Sequence, residues 1–175
     1  MLISQAMNAA LNEQVGNEFG AALQYVAIAS YFAHEGLPEL ARHFYKQAEE
    51  EREHAMRFVH YIVDAGGAVR IPAIAAPKAD FRSAEEAIQL SLDWEQAVTA
   101  QINKLVDQAH QEKDHLTRDM LTWFTKEQLE EVSSMDTLLR VVQRAGQANL
   151  LYVEEFVARH HGGGAKKSAG MTGAS

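Results

Sequence analysis

Apolar residues recur every three or four positions along this chain, and in four long stretches polar ligand-type residues interrupt that stripe. In the first stretch Leu11, Val15, Ala22, Tyr25 and Ala29 form the stripe and Glu18 breaks it. In the second, Phe44, Gln47, Ala55, Phe58 and Ile62 enclose Glu51, and His54, three residues on, lies on the same side. Ile88, Leu92, Val98, Ile102 and Leu105 enclose Glu95 in the third; Leu121, Phe124, Met135 and Leu138 enclose Gln128 and Glu131 in the fourth. The period is helical throughout.

Proline and glycine set the boundaries. The pattern predicts a first helix from Leu2 to about Phe32, ending near Gly36-Leu37-Pro38, and a second from Pro38, which suits a first helical turn, to about Ala65. Ala68 to Phe81, with two of the three prolines and no helical period, reads as an extended connection. Ser83 with Glu86 is a capping-box pattern opening a third helix that runs to about Gln111. Glu112-Lys113-Asp114 makes a short turn, a fourth helix covers His115 to Ala145, and a short fifth covers Asn149 to about His160. Helices of about 28–31 residues are about 42–46 Å long. A connection of about 15 residues reaches at most about 50 Å, enough to cross such a bundle end to end. The expected fold is all-α: a four-helix bundle with one long crossover and a short fifth C-terminal helix, residues 1–161, followed by a flexible tail, 162–175.

The interruptions repeat at a constant offset. Glu18 and Glu95 are 77 positions apart, as are Glu51 and Gln128, His54 and Glu131, and Glu50 and Glu127. An ionised carboxylate in a dry core costs several kcal/mol even after relaxation, so Glu18, Glu51, Glu95 and Glu131 converging there point to cations. Four carboxylates balance two divalent ions, and carboxylate oxygen with one imidazole suits iron or manganese. Glu51 is the natural bridge, and His54 makes the two metal positions unequal. Tyr25, two turns from Glu18 on the same face, reads either as a core tyrosine or as a donor or oxidisable residue beside the metals. Trp123 reads as packing, and Glu50, Glu127 and Glu130 flank the ligands.

Composition narrows the classes. The 175 residues make one ordinary domain, and no apolar run approaches the ~20 residues of a membrane span. A net charge of −8 argues against nucleic-acid binding and suits cation traffic. The absence of cysteine excludes thiolate zinc sites, Fe–S clusters and cysteine nucleophiles. The segment MLISQAMNAALNEQ lacks a basic region followed by an apolar run, so a cytoplasmic location is expected.

The runs Asn17-Glu18-Phe19…Gln24-Tyr25, Glu50-Glu51-Arg52-Glu53-His54-Ala55-Met56 and Trp123-Phe124-x-x-Glu127-Gln128-x-x-Glu131 resemble bacterial non-haem ferritin, over about residues 4–160. The resemblance implies a shell of 24 subunits that oxidises Fe(II) with dioxygen or peroxide and stores a ferric mineral. It implies that Glu18, Glu51 and His54 hold the first iron and that Glu51, Glu95 and Glu131 hold the second, with Gln128 beside it. Glu50, Glu127 and Glu130 match a third, weaker iron site, and Asp119, near the acidic start of the fourth helix where related shells form three-fold pores, reads either as a pore carboxylate or as an N-terminal helix charge. Bacterioferritins carry a second E-x-x-H where this chain has Gln128-x-x-Glu131, and a haem-ligating methionine where it has Arg52, so no haem is expected. Mini-ferritins lack the C-terminal helix, and rubrerythrins usually carry an iron–thiolate domain that a cysteine-free chain cannot form. The alternatives are a non-storing iron or manganese carboxylate oxidase or catalase, and a structural protein whose acids are vestigial.

Overall fold

The structure is a computed structural model and describes residues 1–160. It contains α1 (Gln5–His34), α2 (Pro38–Asp64), α3 (Ala84–Gln111), α4 (His115–Ala145), a 3₁₀ turn (Gln147–Asn149) and α5 (Leu150–His160). The expected elements are present, with shifts at their ends. Ser4, whose hydroxyl accepts from the Met7 N–H at 2.9 Å, starts α1 at Gln5 rather than Leu2. The 3₁₀ turn takes up Asn149, so α5 begins one residue later than expected. The tail expected at 162–175 lies outside the described residues.

The other starts follow from local chemistry. Ser83 accepts from the Glu86 N–H at 3.1 Å while the Glu86 carboxylate accepts from the Arg82 N–H at 2.7 Å. Asp114 accepts from the Thr117 N–H at 3.0 Å and opens α4. At α2 the preceding residue, Leu37, offers no side-chain cap. Glu154, on α5, supplies one from across the molecule, accepting the Glu39 and Leu40 N–H groups at 2.8 Å each. A carboxylate there satisfies two orphan donors and sits at the positive end of the helix dipole.

The buried apolar residues fall into two clusters. One holds Phe32, Phe44, Ile88 and Leu139 with Val153 and Val157 of α5; the other holds Met7, Val15, Phe58, Ile102 and Phe124. Helix α2 ends in the second cluster and α3 begins in the first, so residues 65–83 run the length of the bundle. Two carboxamides of α1 tie this extended segment down. Asn12 donates to the Ala68 carbonyl at 2.9 Å and accepts from the Arg70 N–H at 2.5 Å; Gln24 donates to the Lys78 carbonyl at 2.8 Å and accepts from the Lys78 N–H at 2.9 Å. Between them the segment lies so close that a Cβ on Gly16 would stand 2.4 Å from the Pro72 ring.

Candidate metal centre

Between the two apolar clusters, each long helix contributes a polar interruption to the same layer: Glu18 from α1, Glu51 and His54 from α2, Glu95 from α3, and Gln128 and Glu131 from α4. All six are buried, Glu18 entirely and Glu131 5 % exposed, so the layer is dry. Flanking Leu, Ile and Phe side chains, at about 1.5–3 kcal/mol each on burial, offset a polar layer inside the core.

Ligand atoms of Glu18, Glu51 and His54 all lie within 4.8 Å of one another, close enough for one ion. The His54 Nδ1 is 3.3 Å from Glu51 Oε2, a consequence of their i, i+3 spacing on α2. Glu18 Oε2 and Glu51 Oε1 are buried and accept no donor from the surrounding groups; the two carboxyls can bond each other only through a retained proton. Orphaned buried oxygens of this kind are costly, and a cation is the group that would satisfy them.

Glu95 and Glu131 reach the same layer but are engaged differently. Glu95 Oε1 accepts a hydrogen bond from the Tyr25 hydroxyl. The Gln128 amide donates to Glu95 Oε2 at 3.2 Å, to the Glu95 carbonyl at 3.1 Å and to the Thr99 hydroxyl at 3.2 Å. Tyr25 is thus a donor to a carboxylate of the layer as well as a core residue. Glu131 Oε2 accepts from the Gln47 amide at 3.2 Å.

The charges press on one another. Burial pushes the Glu18 carboxyl well above the usual range and the Glu51 charge adds to it, while a hydrogen bond from Gln14 acts the other way. Burial also raises Glu51 strongly, with Glu95 adding to it. Glu95 is pushed up to about 7 by burial, the Tyr25 hydroxyl opposing the shift. The Tyr25 hydroxyl is itself raised, by burial first and then by the Glu95 charge. In the metal-free protein, protons therefore remain on carboxyls that divalent ions would discharge.

Other predicted residues stand further out. Glu50 and Glu127 are half-buried and Glu130 is exposed; Glu50, Glu130 and Glu131 line one cleft between α2, α4 and α5. Asp119 is exposed, in a second cleft with His60 and Asp64. Arg52 lies on the exposed face, its guanidinium 3.0 Å from Glu49. Trp123 is closer to the chemistry than a packing residue need be: its ring meets His54 edge-on at 5.3 Å, and the Arg57 guanidinium lies over the same ring, 3.7 Å from its centroid. Two buried residues escaped the sequence reading as partners of the acids. Gln14 donates to Glu18 Oε1 at 2.8 Å, and Gln47 to Glu131 and Glu50. Their signal was available, since each is a carboxamide inside an apolar stripe four residues before a ligand-type Glu.

A sequence profile described as Ferritin-like domain matches residues 8–145. The chain belongs to the ferritin family. It is 47% identical over 152 residues to ferritin BfrB of Mycolicibacterium smegmatis, covering 87% of this chain and 83% of that protein. It is 39% identical over 155 residues to the bacterial non-heme ferritin of Staphylococcus aureus, covering 88% and 93%. Among solved structures, an open-pore ferritin from the hyperthermophilic archaeon Archaeoglobus fulgidus superposes with a TM-score of 0.87 at 32% identity, covering 90% of this chain and 97% of that one. Membership in this family supports iron binding and iron storage, and the buried Glu18, Glu51 and His54 bring three ligand atoms close enough together to hold a metal ion.

Proposed function

We propose that the polar layer is a ferroxidase centre and that the chain assembles into a homo-oligomeric shell, of 24 subunits by its family resemblance, that stores the ferric product. The observation that carries this reading is the pair of orphaned oxygens on Glu18 and Glu51 beside His54, inside an otherwise apolar core. Iron is the substrate. Glu18, Glu51 and His54 would hold one Fe(II); Glu51, Glu95 and Glu131 would hold the other. Each Fe(II) gives up one electron, and the pair reduces dioxygen to hydrogen peroxide, with two protons drawn from water.

The protein supplies position, charge balance and dryness. Gln14, Gln128 and Tyr25 each donate to one oxygen of a carboxylate and so fix its orientation. The apolar clusters on both sides keep bulk water from the reacting ions. Oxidation raises the ionic charge above what Glu18, Glu51, Glu95 and Glu131 balance, which favours release of ferric product with hydroxide or oxide. No helix among the described residues is long and apolar enough to cross a membrane, consistent with a shell that works away from one.

The test is anaerobic loading with Fe(II) followed by air, observed through the rise of ferric absorbance. Glu51→Ala and His54→Ala should each slow the rise at least about tenfold, as loss of a direct ligand generally does. Unchanged oxidation in both variants would overturn the assignment.

A further inference from the structure

Gln47 is 4 % exposed, and its amide nitrogen reaches two acids of different standing. It donates to Glu131 Oε2 at 3.2 Å, where the buried layer reaches the adjoining cleft of about 810 Å³, and to Glu50 Oε2 at 2.7 Å, further out on the wall of that cleft. A primary amide has two hydrogens, one for each carboxylate. We propose that Gln47 is a positioning residue that holds Glu50 against Glu131 and thereby joins the centre to that cleft, setting the affinity of the cation positions these two acids serve. The inference rests on the ferroxidase reading and adds to it a residue that binds no metal.

Burial along this line is graded. Glu131 is 5 % exposed, the Glu50 side chain 21 %, and Glu130, on the same cleft wall, is exposed. Gln47 stands at the step between the dry layer and the wet cleft. A leucine or methionine would fill the same buried place without the cost of burying an amide. What the amide adds is the pairing of two like charges that would otherwise separate. Lys46 offers Glu50 the alternative, its Nζ standing 3.7 Å from Glu50 Oε1 on the exposed side of α2. Without Gln47, Glu50 can turn toward Lys46 and water, and Glu131 loses one of the contacts that orient it. A carboxylate held by an outer partner binds metal about 10–100-fold more tightly than one left loose. Gln47 contacts none of Glu18, Glu51 and His54 through its amide, so it should act on the later cations and spare the first.

The experiment is anaerobic titration of the full-length protein with Co(II), read from the cobalt d–d absorbance, for the native chain, Gln47→Met and Gln47→Leu. The first equivalent should bind both variants as it binds the native protein, while the later equivalents weaken together by about tenfold or more. The melting temperature of each metal-free variant reports whether it is folded, and the second variant serves if the first is not. Later equivalents that bind with native affinity would overturn the proposal, as would equal weakening of every equivalent, which marks a residue that only shapes the core. Failure of the ferroxidase reading itself looks different: the native chain would then take up no cobalt at the buried layer.

Discussion

At Glu95 two influences compete for one carboxyl. Burial holds it protonated up to about pH 7, and the Tyr25 hydroxyl favours the ionised form. Glu18 and Glu51 are shifted in the same direction as Glu95. A carboxyl whose folded pKa lies above its unfolded value keeps its proton after the unfolded chain has lost it. Its stabilising contribution is therefore complete at acid pH and is lost as pH rises through the folded value. For Glu95 the difference, from 4.5 to about 7, corresponds to roughly 3 kcal/mol when fully ionised. The chelator-treated protein should melt at a lower temperature at pH 8 than at pH 5.5, and Glu95→Gln should flatten that dependence. A melting temperature that is level or rising across this window in the native chain would contradict the account. A divalent ion takes the place of the protons, so adding Zn(II) at pH 8 should restore the lost stability.

Among the elements, α1 has the most varied duties. It carries Glu18 and Tyr25 inward and, on another face, binds the crossover through Asn12 and Gln24. Alanine in place of a helical glycine ordinarily stabilises by about 1 kcal/mol. At Gly16 the sign should reverse, because the new Cβ would stand 2.4 Å from a ring carbon of Pro72, and a proline ring moves only with its backbone. Gly16→Ala should lower the melting temperature and speed proteolysis within residues 65–83; a stabilised variant would mean that the crossover packs loosely. Helix α5 is secured by Glu154, buried with both oxygens on N–H groups of α2. Glu154→Ala should cost about 1–3 kcal/mol and raise amide exchange at both Leu40 and Val157. Exchange that rises only in α5 would show that α2 does not depend on this cap.

For the whole molecule, the distribution of the core matters more than its size. Two apolar clusters, each drawing on all four long helices, grip a dry polar layer between them, and the starts of the four long helices are capped by Ser4, Glu154, Ser83 and Asp114, none of which belongs to that layer. Such a scaffold should stay folded while its ligands are varied, which is what makes the binding tests above readable. The storing and non-storing readings separate at this scale. A shell-forming ferritin should sediment as one large species and leave the column with far more iron than two ions per chain after aerobic loading. A non-storing oxidase would hold no more than its site stoichiometry and need no hollow assembly.

What the sequence determined by itself was local and periodic. Helical spacing identified the faces, Ser83 and Pro38 marked starts, and the constant offset picked out Glu18, Glu51, His54, Glu95, Gln128 and Glu131, because an acid inside an apolar stripe is costly wherever that stripe packs. Tertiary structure decided which residue meets which. That Gln47 reaches Glu131, 84 positions away, depends on the relative height and rotation of α2 and α4. The capping of α2 by Glu154, 115 positions on, depends on where α5 folds back. Trp123 meeting His54, and the division of the core into two clusters, have the same origin. Periodicity reports the face of one helix at a time, whereas a hydrogen bond between helices is fixed only when their registers are, and those are set by the summed packing of the core.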